Sequence, residues 1–145
     1  AEALIRWQHP HRGLLAPGSF LPVIEDHPLA LDIGEWVLET ALQQMDAWRA
    51  VGLHLPLSIN LGARQLQQPD FVERLRAHLA AHPGVQHGDL ELEVLETSAL
   101  GDLARVSQIM VACRDMGVAF ALDDFDRLHD ISAGPFVFGL AKDHR

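Results

Sequence analysis

The chain has 145 residues, 48% hydrophobic and 21% charged, which bounds it to one ordinary folded core and excludes a disordered segment. Its formal net charge of −9 excludes a broad basic face for a nucleic-acid polymer, while a small phosphorylated ligand neutralised locally by a metal and an arginine stays compatible. No apolar run approaches the ~20 residues of a membrane helix, no secretory signal is expected from the opening residues, and the single cysteine, Cys113, excludes an internal disulfide and fits a reducing, cytoplasmic setting.

The opening residues, Ala1 to Trp7, read as a strand whose period of two puts Glu2, Leu4 and Arg6 on one face. A Glu and an Arg so placed can also be a surface ion pair. Gln8 to Gly18 is broken by Pro10, Gly13, Pro17 and Gly18 and reads as a loop, after which Ser19 is an N-cap for a short helix over Phe20–Asp26. From Asp32 the apolar residues Trp36, Val37, Leu38, Ala41, Leu42, Met45 and Trp48 recur at helical steps toward a stop at Gly52, and this stripe is expected in the core.

Residues 56–61 form a second strand, with Ser58 and Asn60 on one face. Pro69 at the first helical position begins a helix over Asp70–Ala81 with Phe71, Val72, Leu75 and Leu79 inward. His78 and His82, four apart, have a metal-pair spacing, but no acidic partner completes a zinc-protease pattern and a solvated helix face is expected. Leu90 to Leu95 alternates cleanly: Glu91 and Glu93 share one face, either a half-exposed edge or an inward polar face around a site. A helix capped at Gly101 or Asp102 runs to Met116 with Cys113 as an inert core thiol. Val118 to Leu122 is then a buried strand that runs into two adjacent carboxylates, Asp123 and Asp124. Such a pair either caps the next helix or is relieved by a divalent cation.

Strand and helix alternate four times, an α/β pattern with parallel strands and right-handed crossovers. Strands are expected near 2–7, 57–61, 90–95 and 118–123. There is no glycine-rich phosphate loop and no nucleophile elbow. Glu2, Asn60, Glu93, Asp123 and Asp124 fall on one side of the strands, and their oxygen donors describe a hard-cation site. Arg6 is placed to hold a phosphate oxygen with its fork.

The motifs Glu2-Ala3-Leu4 with Arg6-Trp7-Gln8-His9-Pro10, Pro17 to Pro22, Gly34 to Leu38, Ser58 to Gln65, Leu90 to Glu96 and Ala121 to Phe125 come in the order and spacing of the EAL domain, and residues 1–125 resemble that family. The resemblance implies a bacterial phosphodiesterase that linearises cyclic di-GMP to pGpG with two Mg²⁺ or Mn²⁺ ions on a modified TIM barrel. It makes Glu2, Asn60, Glu93, Asp123 and Asp124 metal ligands, Leu4 and Arg6 contacts to the dinucleotide, and Glu96 the group that steadies the loop after the Asp-Asp strand. Accompanying sensory domains in a larger signalling protein are common to such a reading.

A full barrel of this kind runs to ~250 residues, so about four βα units are expected here, a partial TIM-like barrel with a divergent tail over residues 126–145. The family's first strand, its last three strands and its catalytic Lys have no match, and Leu95 stands where the third motif has Thr. Lys142 is near in count but its surroundings do not fit. A one-base frameshift after Phe125 is one explanation of the break: codons for Thr-Gly-Tyr read out of register give a sequence like Asp126-Arg127-Leu128-His129. An open half-barrel with two unpaired edges and an uncovered apolar inner face is expected to self-associate. The expectation is therefore an impaired cyclic di-GMP phosphodiesterase; the alternative is a non-catalytic module that binds cyclic di-GMP or a protein.

Overall fold

The computed structural model describes residues 2–24, 27–95, 103–123 and 139–141. In chain order the elements are β1 (Glu2–Leu4), β2 (Trp7–His9), β3 (Gly13–Leu15), α1 (Pro17–Ile24), α2 (Leu29–Ala50), β4 (Leu57–Leu61), α3 (Ala63–Leu66), α4 (Phe71–Ala81), β5 (Leu90–Leu95), α5 (Leu103–Asp115), β6 (Ala119–Asp123) and β7 (Gly139–Ala141). The main sheet has the order β6-β5-β4-β1-β7. β1, β4, β5 and β6 are parallel, in the order in which the chain lays them down, with helices in the crossovers. That is the expected run of βα units; among the described strands the sheet stays open.

One face of the sheet is apolar and lies under the helices. Ala3, Leu57, Ile59, Leu61, Leu90, Leu92 and Val94 are buried in a single cluster with Val37, Leu38, Ala41, Leu42 and Met45 of α2, Phe71 and Leu75 of α4, and Val106, Ile109 and Cys113 of α5. Burial pushes the Cys113 thiol up to about 11, so it stays protonated and unreactive at neutral pH, as an inert core thiol should. Trp36 is the exception to the α2 stripe: it lies on the flank of the buried face and is 41% exposed. No helix among the described residues is long and apolar enough to cross a membrane.

Several local expectations need correction. β1 stops at Leu4, and the stretch expected as a loop forms an antiparallel hairpin, β2 with β3, in register His9↔Gly13. Its three-residue turn is closed by Gly13 at φ 70 and by His9 Nδ1, which accepts the His11 and Arg12 N–H groups at 3.0 and 3.1 Å. α1 starts at Pro17, because proline suits the first helical position, so Ser19 lies inside the helix rather than capping it. α2 starts at Leu29, three residues before Asp32, with the Leu29 N–H taken by His27 Nδ1 at 3.0 Å. Asp70 sits just outside α4, which begins at Phe71, so Pro69 precedes the helix.

The sheet edges also differ from expectation. β7 pairs antiparallel with β1, Glu2↔Ala141 through Leu4↔Gly139, and covers an edge expected to be bare. The face turned away from the helices, expected to be apolar, is mixed: alternation gives it Glu2, Leu4, Ser58, Asn60, Glu91, Glu93, Leu95, Ala119 and Ala121.

The turn into β6 explains why Gly117 opens the last parallel strand. The Gly117 N–H donates to Arg114 O at 3.0 Å and the Val118 N–H to Cys113 O at 2.8 Å, the paired bonds of a Schellman stop. Gly117 has φ 82, and a Cβ there would meet the His87 ring at 2.4 Å. Gly117→Ala should therefore cost about 1–2 kcal/mol from the left-handed backbone, read as a lower urea midpoint with unchanged slope. An unchanged midpoint would show that the turn relaxes.

Candidate active site on the polar face of the sheet

Register fixes which polar residues are neighbours. In parallel strands, residues opposite one another share a face. One row runs Glu2–Ser58–Glu91–Ala119, the next Asn60–Glu93–Ala121, and the third holds Leu95–Asp123. Glu2, Asn60 and Glu93 thus stand on the face turned away from the helices, as expected, and position 123 takes the same alternation on β6. β5 lies between β4 and β6, so its alternation reports an inward polar face and not a sheet edge.

Glu93 is the most telling of these residues. It is 1% exposed, while Asn60 beside it and Glu2 are half-buried. A carboxylate taken out of water is costly unless compensated by hydrogen bonds, a proton or a cation. A pure packing role would put an apolar residue there, as the chain does at Leu92 and Val94 on the opposite face.

Leu4 is buried but stands apart from the helix-side core cluster, in keeping with its place on the polar face. Arg6 is half-buried and lies in the step between β1 and the hairpin. Asp124 and Glu96 lie outside the described residues, as does the Asp123 side chain. Among the described residues no three His, Cys, Asp or Glu side chains gather closely enough for a metal.

Sequence spacing misjudged His78 and His82. They do not face solvent: His82 is buried and His78 half-buried against carboxylates of α2. Their acidic partners lie 36 to 43 residues away in the chain, beyond any local pattern.

With the open parallel sheet and its polar face in view, comparison with known proteins is decisive: residues 1–131 match the EAL domain family. The chain belongs to the EAL domain family. It is 39% identical over 126 residues to the uncharacterised protein Rv1354c of Mycobacterium tuberculosis, covering 86% of this chain and 20% of that protein. It is 39% identical over 125 residues to the bifunctional diguanylate cyclase/cyclic di-GMP phosphodiesterase MucR of Pseudomonas aeruginosa, covering 86% of this chain and 18% of MucR. The MucR phosphodiesterase solved with cyclic di-GMP superposes with a TM-score of 0.79, over 86% of this chain and 50% of that one. The EAL enzyme Bd1971, in a form with cAMP and cyclic di-GMP bound, gives a TM-score of 0.75 at 30% identity, over 86% and 35% of the two chains. This EAL chain thus spans about a fifth of the length of these curated relatives and half or less of these solved chains. Its parallel strands with alternating helices are those of the EAL barrel.

Proposed function

We propose that this chain forms part of an EAL-type cyclic di-GMP phosphodiesterase site, able to bind the dinucleotide with a divalent metal but impaired in cleaving it. The observation that carries the reading is Glu93, a wholly buried carboxylate beside Asn60 on the polar face of the sheet. Barrel closure staggers strands by about one residue each. Over the three steps from β1 to β6 that is roughly three residues, which would offset most of the two rows, four residues, that separate Glu2 from Asp123 in register. Asn60, Glu93 and Asp123 stand near the carboxyl ends of their strands, where barrels place their sites, while Glu2 opens β1.

The donor set fits a hard cation: carboxylate and amide oxygens, with no thiol or imidazole on this face among the described residues. Glu2, Asn60, Glu93, Asp123 and Asp124 would hold Mg²⁺ or Mn²⁺, and bound metal would supply an activated water and charge neutralisation at a phosphodiester. Leu4 gives the guanine bases an apolar contact, and Arg6 a fork for a phosphate oxygen. Glu96 steadies the loop after β6. MucR and cyclic di-GMP phosphodiesterase PA2567 of Pseudomonas aeruginosa, the latter 34% identical over 124 residues, support the substrate assignment. A cytoplasmic setting and self-association of the isolated chain through the outer edge of β6 belong to the same reading.

The second reading, binding without catalysis, rests on one observation: Lys142 is the chain's only lysine and stands outside the matched residues. Calorimetric titration of cyclic di-GMP into the chain with Mg²⁺, followed by nucleotide chromatography of the same sample, separates the two. Heat with metal but not with chelator is expected on both; a trace of metal-dependent pGpG on long incubation marks the impaired enzyme, and nucleotide that stays wholly intact marks binding alone. Heat with stoichiometric conversion to pGpG indicates a working enzyme, and no heat removes both readings.

A further inference from the structure

We propose that the contact between α2 and α4 is a proton-dependent lock, closed when His82 is an imidazolium cation and loosened when it loses its proton. The geometry puts a carboxylate at every ring nitrogen of the seam. His78 Nε2 lies 2.5 Å from Glu35 Oε2, and its Nδ1 lies 2.8 Å from Glu39 Oε2. His82 Nε2 lies 2.8 Å from Glu39 Oε1, and its Nδ1 is hydrogen-bonded to Asp46 Oδ2. A neutral imidazole has one N–H and one lone pair. His82 has a carboxylate oxygen at both nitrogens, so its neutral ring would turn a lone pair toward an anion.

The other described groups facing the seam act on the carboxylates. From α4, Arg74 Nη1 approaches Glu35 Oε1 at 3.7 Å while its Nε donates to Asp70 Oδ2 at 2.7 Å. From α2, Arg49 Nη2 donates to Asp46 Oδ1 at 2.8 Å and Gln43 Nε2 to Glu39 Oε1 at 3.3 Å. Neither arginine reaches Glu39, which is bridged by both imidazoles and depends on them most.

Burial works against the charged form of His82, and the hydrogen bonds to Asp46 and Glu39 outweigh it, so its pKa stands above the ordinary value. The bond from His82 is the main reason that Glu39 and Asp46 are held below the usual carboxylate range, against the effect of burial. The signs then define a window. The raised histidine contributes stability that is full below about 6.5 and is lost as pH rises through its folded value. The lowered carboxylates contribute stability that is full above about 4 and is lost as pH falls through theirs. The seam is therefore tightest in mildly acidic solution and opens toward alkaline pH. α2 packs against β4, and α4 leads through one loop into β5, so the seam lies behind the strands that carry Asn60 and Glu93.

The test is the thermal midpoint of the full chain from pH 5.5 to 8.5, beside His82→Gln. Over that range the unmodified chain should lose on the order of 4 °C more than the variant. Parallel curves would overturn the proposal. Should His82→Gln fail to fold, ring-¹⁵N NMR of the unmodified chain decides it. Two protonated nitrogens on His82 that persist above the pH at which free histidine titrates support the lock, and a single N–H on His82 at pH 6 overturns it.

Discussion

Incubated with cyclic di-GMP and either Mg²⁺ or Mn²⁺, the purified 145-residue chain should leave the dinucleotide intact at close to the background rate. The resemblance that places metal ligands at Glu2, Asn60, Glu93, Asp123 and Asp124 also calls for a lysine to orient the attacking water and to neutralise charge on the phosphate. The chain matches no residue to that role. Losing one preorganised electrostatic group costs about 10²–10³-fold in rate, which alone takes a common enzymatic value of ~10 s⁻¹ to ~0.1 s⁻¹ or below; the unmatched ligand strand and the altered sequence after Asp124 compound that loss toward background. Nucleotide chromatography measures this directly. Turnover above ~1 s⁻¹ would contradict the account and point to Lys142, the chain's only lysine.

Replacing Leu42 with alanine should cost about 2–5 kcal/mol, a large part of the 5–15 kcal/mol that ordinarily separates folded from unfolded chains. Leu42 is fully buried, on the one helix that packs against β4, α1, α3 and α4 alike. Truncation there opens a cavity that several elements would have to collapse to fill. Val51, 74% exposed just beyond the same helix, is the control: Val51→Ala should stay within about 0.5 kcal/mol. Urea denaturation of both variants checks the contrast. A Leu42→Ala cost below ~1 kcal/mol would mean that α2 is not packed as described.

How far the sequence revealed this fold depended on the range of the interactions that set each part. The β4 pattern, with Leu57, Ile59 and Leu61 buried and Ser58 and Asn60 between them, is a period-two signal carried by one strand. The same holds for β5, and together the two patterns put Asn60 and Glu93 on one face from sequence alone. The hairpin of β2 and β3 was lost because three-residue strands carry too little periodicity to outweigh Pro10 and Gly13. Capping rules favour Ser and Asp over Pro and His, so the starts at Pro17 and Leu29 were missed. The α2–α4 seam was illegible for another reason: each imidazole meets carboxylates dozens of residues away, and only the tertiary fold joins them. For the site itself, Asp124, Glu96 and the Asp123 side chain stay proposals drawn from the motif.

The central claim, that the polar face is a metal-dependent cyclic di-GMP site, concentrates on one side chain. Glu93→Gln keeps the shape of the buried group and removes its charge. Outer partners of metal ligands already cost 10–100-fold in affinity when changed, so a direct ligand should cost at least ~10-fold. Calorimetric titration of cyclic di-GMP with Mg²⁺ into the variant, beside the unmodified chain, should show that loss with the thermal midpoint unchanged or higher. Equal affinity in the two proteins would contradict the account.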